Sequence, residues 1–227
     1  MYSDVHFDCF STPILITNFN RLNCLQRQID WLLNAGYTNI HINDNGSSYA
    51  PLLEYYEQLK TNVNVSIFIQ NTNYGHNGFI EYPQYQSIKT GFFVTTDPDI
   101  IPTENTPKNL IEILHSYLIS HNRLKCGVAL KIDDLPDHNP LKDEIIGWEN
   151  QFWKDCVEDN VFIADIDTTF ALNAPNTMGT HNWALRIGGD CACRHTTWYL
   201  DPNNLPDDEK YYTSSLNKNH SHWSSRI

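Results

Sequence analysis

Short apolar runs alternate with amphipathic stretches along the first half of the chain. Pro13-Ile14-Leu15-Ile16-Thr17-Asn18 reads as a buried strand that stops at the polar turn Asn18-Phe19-Asn20-Arg21. Leu22, Leu25, Ile29 and Leu32 follow at helical spacing, with Asn34-Ala35-Gly36 as the stop. Ile40-His41-Ile42-Asn43 is a second strand, ending in the turn-rich Asp44-Asn45-Gly46-Ser47-Ser48. Pro51 opens a helix with Leu52, Tyr55, Tyr56 and Leu59 on its inner face. A third strand, Val63 to Ile69, gives way to Asn71-Thr72-Asn73-Tyr74-Gly75. Strand, helix, strand, helix, strand predicts an α/β fold with a parallel sheet and right-handed crossovers.

Segment 76–90 is less regular. Phe92 to Thr96 is then β-prone and runs into Asp97-Pro98-Asp99. Thr106 and Pro107 predict the start of a helix carrying Leu110, Leu114, Tyr117 and Leu118, and Cys126 to Ile132 a strand breaking at Asp133-Asp134-Leu135-Pro136. Asn139 and Pro140 open a further helix with Leu141, Ile145, Trp148 and Phe152 on one face. Two long strand-like runs, Val161–Leu172 and Trp183–Arg194, close the pattern, and the residues from Asp201 are polar. No repeat or linker divides the chain, so a single domain over 1–227 is expected, with 200–227 as a polar tail or lid.

Composition narrows the function classes. Lys+Arg 15 against Asp+Glu 27 gives a net charge of −12, which argues against nucleic acid or an anionic membrane as partner. The start MYSDVHFDCF has neither a basic nor an apolar targeting region, and no run approaches the roughly 20 apolar residues of a spanning helix. Six cysteines match neither a disulfide scaffold nor a standard zinc frame, so reduced thiols and a cytoplasmic location are expected. The sequons at Asn45, Asn64 and Asn219 are then chance matches.

Each of the first four strands ends in a polar cluster: Asn18/Arg21, Asp44/Asn45, Asn73/Gly75, Asp97/Asp99. Ligands of open α/β sheets bind outside the carboxyl ends of the strands, so four clusters on one edge predict a binding crevice. Asp97 and Asp99 are hard oxygen donors suited to Mg²⁺ or Mn²⁺, which would offset the repulsion between an acidic protein and a phosphate-bearing ligand. Blander readings stand beside these: an Asp-Pro turn, an Asx-turn at Asp44, and Arg21 as a solvated first helical turn. In order and spacing over residues 13–200, ILITNFNR, HINDNGSS, NTNYG and VTTDPD resemble the GT-A fold glycosyltransferases, in particular glycosyltransferase family 2.

The resemblance implies a mostly parallel, Rossmann-like sheet flanked by helices, with late antiparallel strands. It implies a metal-dependent, hexosyltransferase-like enzyme moving a sugar from a nucleotide diphosphate-sugar donor to a glycan or other hydroxyl acceptor. Asn18, Arg21, Asp44, Asn73, Gly75 and Asp97 would contact the donor, and Asp97 and Asp99 would match the DxD that holds Mn²⁺ or Mg²⁺. His195 would be a further metal ligand, since many enzymes of this fold use a late histidine. A Cys191-x-Cys193-x-His195 zinc site, or two core cysteines with a hydrogen-bonded histidine, are the rivals there. For the base that deprotonates the acceptor, Asp167, Asp133 and Asp134 are candidates and Glu149 a weaker one. Asp165-x-Asp167-Thr168-Thr169 also resembles the nucleophile motif of haloacid-dehalogenase-like phosphatases, giving a metal-dependent phosphatase or hydrolase as the enzyme alternative. A non-catalytic nucleotide-sugar-binding domain is the alternative of another class.

Overall fold

The computed structural model describes residues 2, 5–167, 169–177 and 184–216. Its first half alternates as expected: β1 (Ile14–Asn18), α1 (Asn23–Ala35), β2 (Ile40–Asp44), α2 (Ala50–Leu59) and β3 (Val65–Ile69). A 3₁₀ turn at Gly75–Glu81 and the one-turn helix α3 (Tyr85–Ile88) fill the irregular segment, and β4 (Phe93–Thr96) and β5 (Ile100–Pro102) flank the Asp-Pro-Asp loop. Then come α4 (Leu110–Ser120), β6 (Lys125–Val128), α5 (Lys142–Glu149), β7 (Cys156–Glu158), β8 (Val161–Ile163) and β9 (Ala171–Asn173). The last elements are β10 (Ala184–Ile187), β11 (Cys193–His195) and α6 (Asp207–Ser215).

Among the described residues, nine strands form one sheet in the order β3-β2-β1-β4-β9-β6-β10-β8-β7. β3, β2, β1 and β4 are parallel to one another; β9 runs antiparallel between β4 and β6, and β8 and β7 are antiparallel at the far edge. Both faces of β1 are buried, which is why it reads as an unbroken apolar run. Ile14 and Ile16 pack with Leu25, Leu32 and Leu52 on one face, and Leu15 packs with Phe79, Tyr82, Tyr85 and Phe93 on the other. This is the α/β architecture expected from the sequence, including the late antiparallel strands.

Several boundaries differ, each for a tertiary reason. Val161–Leu172 is two strands, because β8 pairs with β10 while β9 inserts between β4 and β6, so the run has to break between them. Trp183–Arg194 is likewise β10 and β11 separated by a 3₁₀ turn at Gly189–Cys191; Trp183 lies outside the described residues. Thr106 does not open α4: its Oγ1 accepts the Thr103 amide at 2.8 Å, closing a turn, and the helix starts at Leu110. The polar residues after 201 contain α6, whose helicity has no apolar stripe to announce it.

Gly127 fixes the closest approach in the sheet. A Cβ there would lie 2.6 Å from the Ala171 Cβ and 2.7 Å from the Phe170 carbonyl oxygen of β9's approach. Gly127→Ala is therefore expected to destabilise the fold by about 1–3 kcal/mol, read as a lowered denaturation midpoint. An unchanged midpoint would mean that β6 and β9 can part without loss.

Candidate active site

Two clefts meet at Asp97. The first is a small polar cleft of about 100 Å³ over the strand ends, lined by Asn18, Arg21, Asn45, Asn73, Gly75 and Asp97. The β1–β2 ladder sets Asn18 level with Asp44. Asp44 is fully enclosed: it accepts from the Ser47 amide, the Ser47 hydroxyl and the Tyr56 hydroxyl, each at 2.6 Å. Burial pushes its carboxyl up, and the bonds from Ser47 and Tyr56 oppose that. Both its oxygens serve the turn, so a direct contact of Asp44 with a nucleotide would be made beside these bonds or at their expense. Its effect on the cleft runs through Tyr56, whose hydroxyl also accepts from the Asn18 amide at 2.8 Å. The neighbouring Asn45 reaches the cleft instead and donates to the Gly75 carbonyl at 2.8 Å. Gly75 has φ +71°, a left-handed position that glycine takes at little cost.

Helix α6 closes this cleft. Tyr212 lies over the Arg21 guanidinium at 3.9 Å, and Glu209 approaches Arg21 Nε at 3.3 Å. Asp208 accepts from the Leu22 and Asn23 amides at 3.0 and 2.7 Å, supplying the cap that α1 lacks locally.

The Asp-Pro-Asp loop is pinned from beneath by the buried Gln28 of α1. Its amide donates to the carbonyls of Asp97 and Ile100 at 2.9 and 2.8 Å. Asp99 turns inward and is 2% exposed. It pairs with Arg21 Nη1, so Arg21 is a buried ion-pair partner rather than a solvated one. The β5–β11 register sets His195 opposite Ile100, and the Thr196 amide donates to the Asp99 carbonyl at 2.8 Å. His195 Nε2 thereby comes within 3.5 Å of Asp99 Oδ2, while its Nδ1 shares a 2.6 Å hydrogen bond with Thr197 and its ring stacks on Trp198. Burial alone would raise the Asp99 carboxyl, but His195 and Arg21 hold it below the usual carboxylate range. Burial keeps the His195 imidazole below its ordinary value and therefore neutral at pH 7.

These donors fit a divalent ion in part. Asp99 Oδ1 is buried with no hydrogen-bond partner, while the neutral imidazole nitrogen lies 3.5 Å from Oδ2 of the same carboxylate. Among the described residues no three His, Cys, Asp or Glu side chains gather closely enough to hold a metal by themselves. Mg²⁺-type sites commonly use one or two carboxylates and take the remaining oxygens from substrate phosphates, so that arrangement suits the ion expected here. The zinc rival has no such support, since Cys193 is buried with its thiol toward the Cys191 carbonyl.

The second cleft, of about 440 Å³, is lined by Asp97, Glu149, Asp165, Asp167, Arg186 and His195, with Trp148, Phe152 and Trp198 among its apolar walls. Asp167 is exposed on the loop between β8 and β9, not inside a strand. Lys125, buried at the start of β6, holds that loop by donating to the Ile166 and Asp167 carbonyls at 3.1 and 2.7 Å. Burial lowers the Lys125 ammonium to about 8. Glu149 accepts from Arg186 Nη1 at 3.0 Å, and Arg186 Nε donates to the Asp165 carbonyl at 2.8 Å. Burial raises the Glu149 carboxyl to about 7, Arg186 opposing and Asp167 adding to the rise.

That shift predicts a stability profile. Between the ordinary 4.5 of a glutamate and about 7, the folded chain binds a proton at Glu149 that the unfolded chain has lost. Stability from this group is thus fully present below pH 4.5 and is lost as pH rises through 7. Glu149→Gln should flatten the fall in Tm over that window; an identical profile in the variant would show that another group carries it.

Asp133 and Asp134, the other base candidates, do not line this cleft. Asp134 accepts from Arg194 Nη2 and from the Tyr199 hydroxyl, both at 2.6 Å, and Asp133 pairs with Lys131 at 2.6 Å. Thr168 lies outside the described residues, as do 178–182 of the loop 173–182 and the tail residues from Asn217. Lys125, Arg186 and Tyr212 were not anticipated. For the first two a signal existed: a basic residue at the edge of an apolar strand run is rare unless paired.

No protein family matches the sequence, and no curated protein matches it. Solved structures are similar in fold. Mannosyltransferase PcManGT from Pyrobaculum calidifontis, in complex with GDP-Man and Mn²⁺, is 9% identical with a TM-score of 0.50, over 92% of this chain and 63% of that one. HddC from Yersinia pseudotuberculosis, complexed with GMP-PN, is 10% identical with a TM-score of 0.48, over 78% and 89%. S. aureus TarS 1-349 is 12% identical with a TM-score of 0.39, over 53% and 36%. The chain spans less than two thirds of the length of the TarS and mannosyltransferase structures. At such identities the likeness is one of fold alone, and the fold is of GT-A type. Among the described residues no helix is long and apolar enough to cross a membrane.

Proposed function

We propose that the chain is a glycosyltransferase that moves a sugar from a nucleotide diphosphate-sugar to an acceptor hydroxyl with the help of Mn²⁺ or Mg²⁺. The observation that carries this reading is the position of Asp97, which lines both the polar cleft at the strand ends and the larger acidic cleft beside it. A donor bridging the two would lay its nucleotide over Asn18, Arg21, Asn73 and Gly75 and present its sugar past Asp97. Asn18 Oδ1 is buried without a partner, as expected of a group kept for a ligand. Asp97 and Asp99, aided by His195 and completed by the donor's own phosphate oxygens, would hold the ion, which as a Lewis acid would stabilise the departing nucleoside diphosphate.

On this reading the acceptor occupies the acidic cleft and Asp167 takes the proton of its hydroxyl. Glu149 is held by Arg186. Lys125 fixes Asp167 through the backbone and leaves its carboxylate to the substrate. The GDP-Man and Mn²⁺ bound by the mannosyltransferase of like fold agree with this reading, while the sugar and base of this chain's own donor are open. Neither the phosphatase nor the purely binding alternative gains support from the proteins of like fold.

Thermal-shift titration with guanosine, uridine, adenosine and cytidine diphosphates, with and without Mn²⁺, tests the proposal. A metal-dependent rise in Tm for one of them is expected, and at 100 times its Kd a ligand stabilises by about 2.7 kcal/mol. No shift with any diphosphate at millimolar concentration would overturn it.

A further inference from the structure

The strip of chain that walls the acidic cleft presents its other side to a separate cavity of about 570 Å³. Glu149, Gln151 and Phe152 line the acidic cleft, whereas Asn150 and Trp153 line the cavity. The same division holds for Leu130 against Lys131 and for His195 against Arg194. The wall between the two is therefore a single layer of chain.

The chemistry of the cavity differs from that of a nucleotide site. Its two cations are already engaged, Lys131 with Asp133 at 2.6 Å and Arg194 with Asp134 at 2.6 Å and Glu104 at 3.4 Å. Asp190 adds another carboxylate, and Asn105, Asn150 and Asn160 add amides. A phosphate or an acidic sugar would meet carboxylates with no spare cation, so the lining selects for a neutral ligand rich in hydroxyls. Carboxylates accept from such hydroxyls, and amide and guanidinium N–H groups donate to them.

Trp153 supplies the apolar surface. Its benzo end sits against Gly188, where a Cβ would approach to 2.9 Å, and its ring meets Phe162 edge-on at 5.1 Å. Its Nε1 has no hydrogen-bond partner, so packing alone holds it. A rigid indole among polar side chains complements a pyranose, which has an apolar C–H face and a polar rim.

We propose that this cavity is a saccharide-binding subsite that holds a neutral sugar unit of a glycan acceptor, apart from the unit whose hydroxyl reacts. The acceptor role rests on the transferase reading above; the saccharide site does not. The test is binding of the full chain to a printed array of neutral, uronic-acid and phosphorylated oligosaccharides, without donor or metal. A neutral oligosaccharide should be retained, and Trp153→Ala should weaken it at least tenfold. Asn150→Ala and Asp190→Ala change exposed side chains, cannot plausibly unfold the chain, and should each weaken it several-fold. Asp167→Asn, in the other cleft, should leave it unchanged.

The retained oligosaccharide is then supplied as acceptor, where Trp153→Ala should raise KM about tenfold and leave kcat. Binding of only charged glycans, no binding, or binding indifferent to all three cavity variants would overturn the subsite. A bound oligosaccharide that is not consumed while a simple acceptor is would overturn its acceptor role. Nucleoside diphosphate binding separates the two ideas: with it present and the array blank, the subsite alone falls. With it absent and Trp153-dependent retention intact, the subsite stands and the transferase reading falls.

Discussion

Asp167→Asn is expected to lower sugar transfer about 10²–10⁴-fold, the usual cost of removing a general base, while nucleoside diphosphate affinity stays within twofold. The separation follows from the geometry. Asp167 lines only the acidic cleft, and its loop is held by Lys125 through main-chain carbonyls that the substitution leaves in place. The side chain is exposed, so the amide costs little stability. Glu149 is the competing base: it lies in the same cleft with its carboxyl raised to about 7, near the value an efficient base needs. It is nevertheless spent on Arg186 and buried, and an acceptor hydroxyl would have to break that pair to reach it. Release of nucleoside diphosphate with acceptor present, measured for Asp167→Asn and Glu149→Gln alongside donor binding, decides between them. Full turnover in Asp167→Asn with loss in Glu149→Gln would exchange the roles.

Asp99→Asn should act on two observables at once. Arg21 and Asp99 form a buried pair, and removing one partner of such a pair costs about 3–5 kcal/mol because the other charge stays behind. Glu209, 3.3 Å from Arg21, remains as a second counter-charge and keeps the loss near the lower bound. The variant should therefore melt lower and bind nucleoside diphosphate without responding to Mn²⁺. Asp97→Asn separates the two effects. Asp97 lies at the mouth of both clefts and is less buried than Asp99, so its substitution should cost less stability than Asp99→Asn and still abolish the Mn²⁺ response. His195→Ala should raise the Mn²⁺ concentration needed. Nucleotide binding that keeps its full Mn²⁺ dependence in both Asp variants would remove the Asp-Pro-Asp loop from the metal site.

The sheet and its polar edge were legible in the sequence because β1, β2 and β4 are buried along their length and give way abruptly to polar side chains. Ile14 to Ile16 has no polar position to interrupt it, and Asn18, Asp44 and Asp97 mark where the strands emerge. What was not legible depends on pairing between distant segments. β9 inserts between β4 and β6 from residues far along the chain, so the run Val161–Leu172 carried no local sign of where it had to break. Asp44 illustrates the limit at side-chain level. Its pattern fits a ligand contact and a turn equally, and only the position of Tyr56, twelve residues on in α2, decides for the turn. The helix α6 escaped notice for a different reason: its contacts are made by Asp208, Glu209 and Tyr212, polar residues recognised only against Arg21 and the end of α1.

That helix bears on how tightly the proposed nucleotide could hold. The cleft over the strand ends measures about 100 Å³ while Tyr212 covers Arg21, well under the ~300 Å³ at which small-molecule sites begin. On the proposed function, a nucleotide would need α6 to lift, and the observed Kd would then equal the intrinsic one divided by the fraction of molecules in that conformer. With roughly 1% open, the measured affinity is about 100-fold weaker than the contacts alone would give. Linkage would run in both directions: a nucleotide that displaced α6 would remove Asp208 from the cap of α1, so ligand should speed amide exchange at Leu22 and Asn23 even as it protects the strand ends.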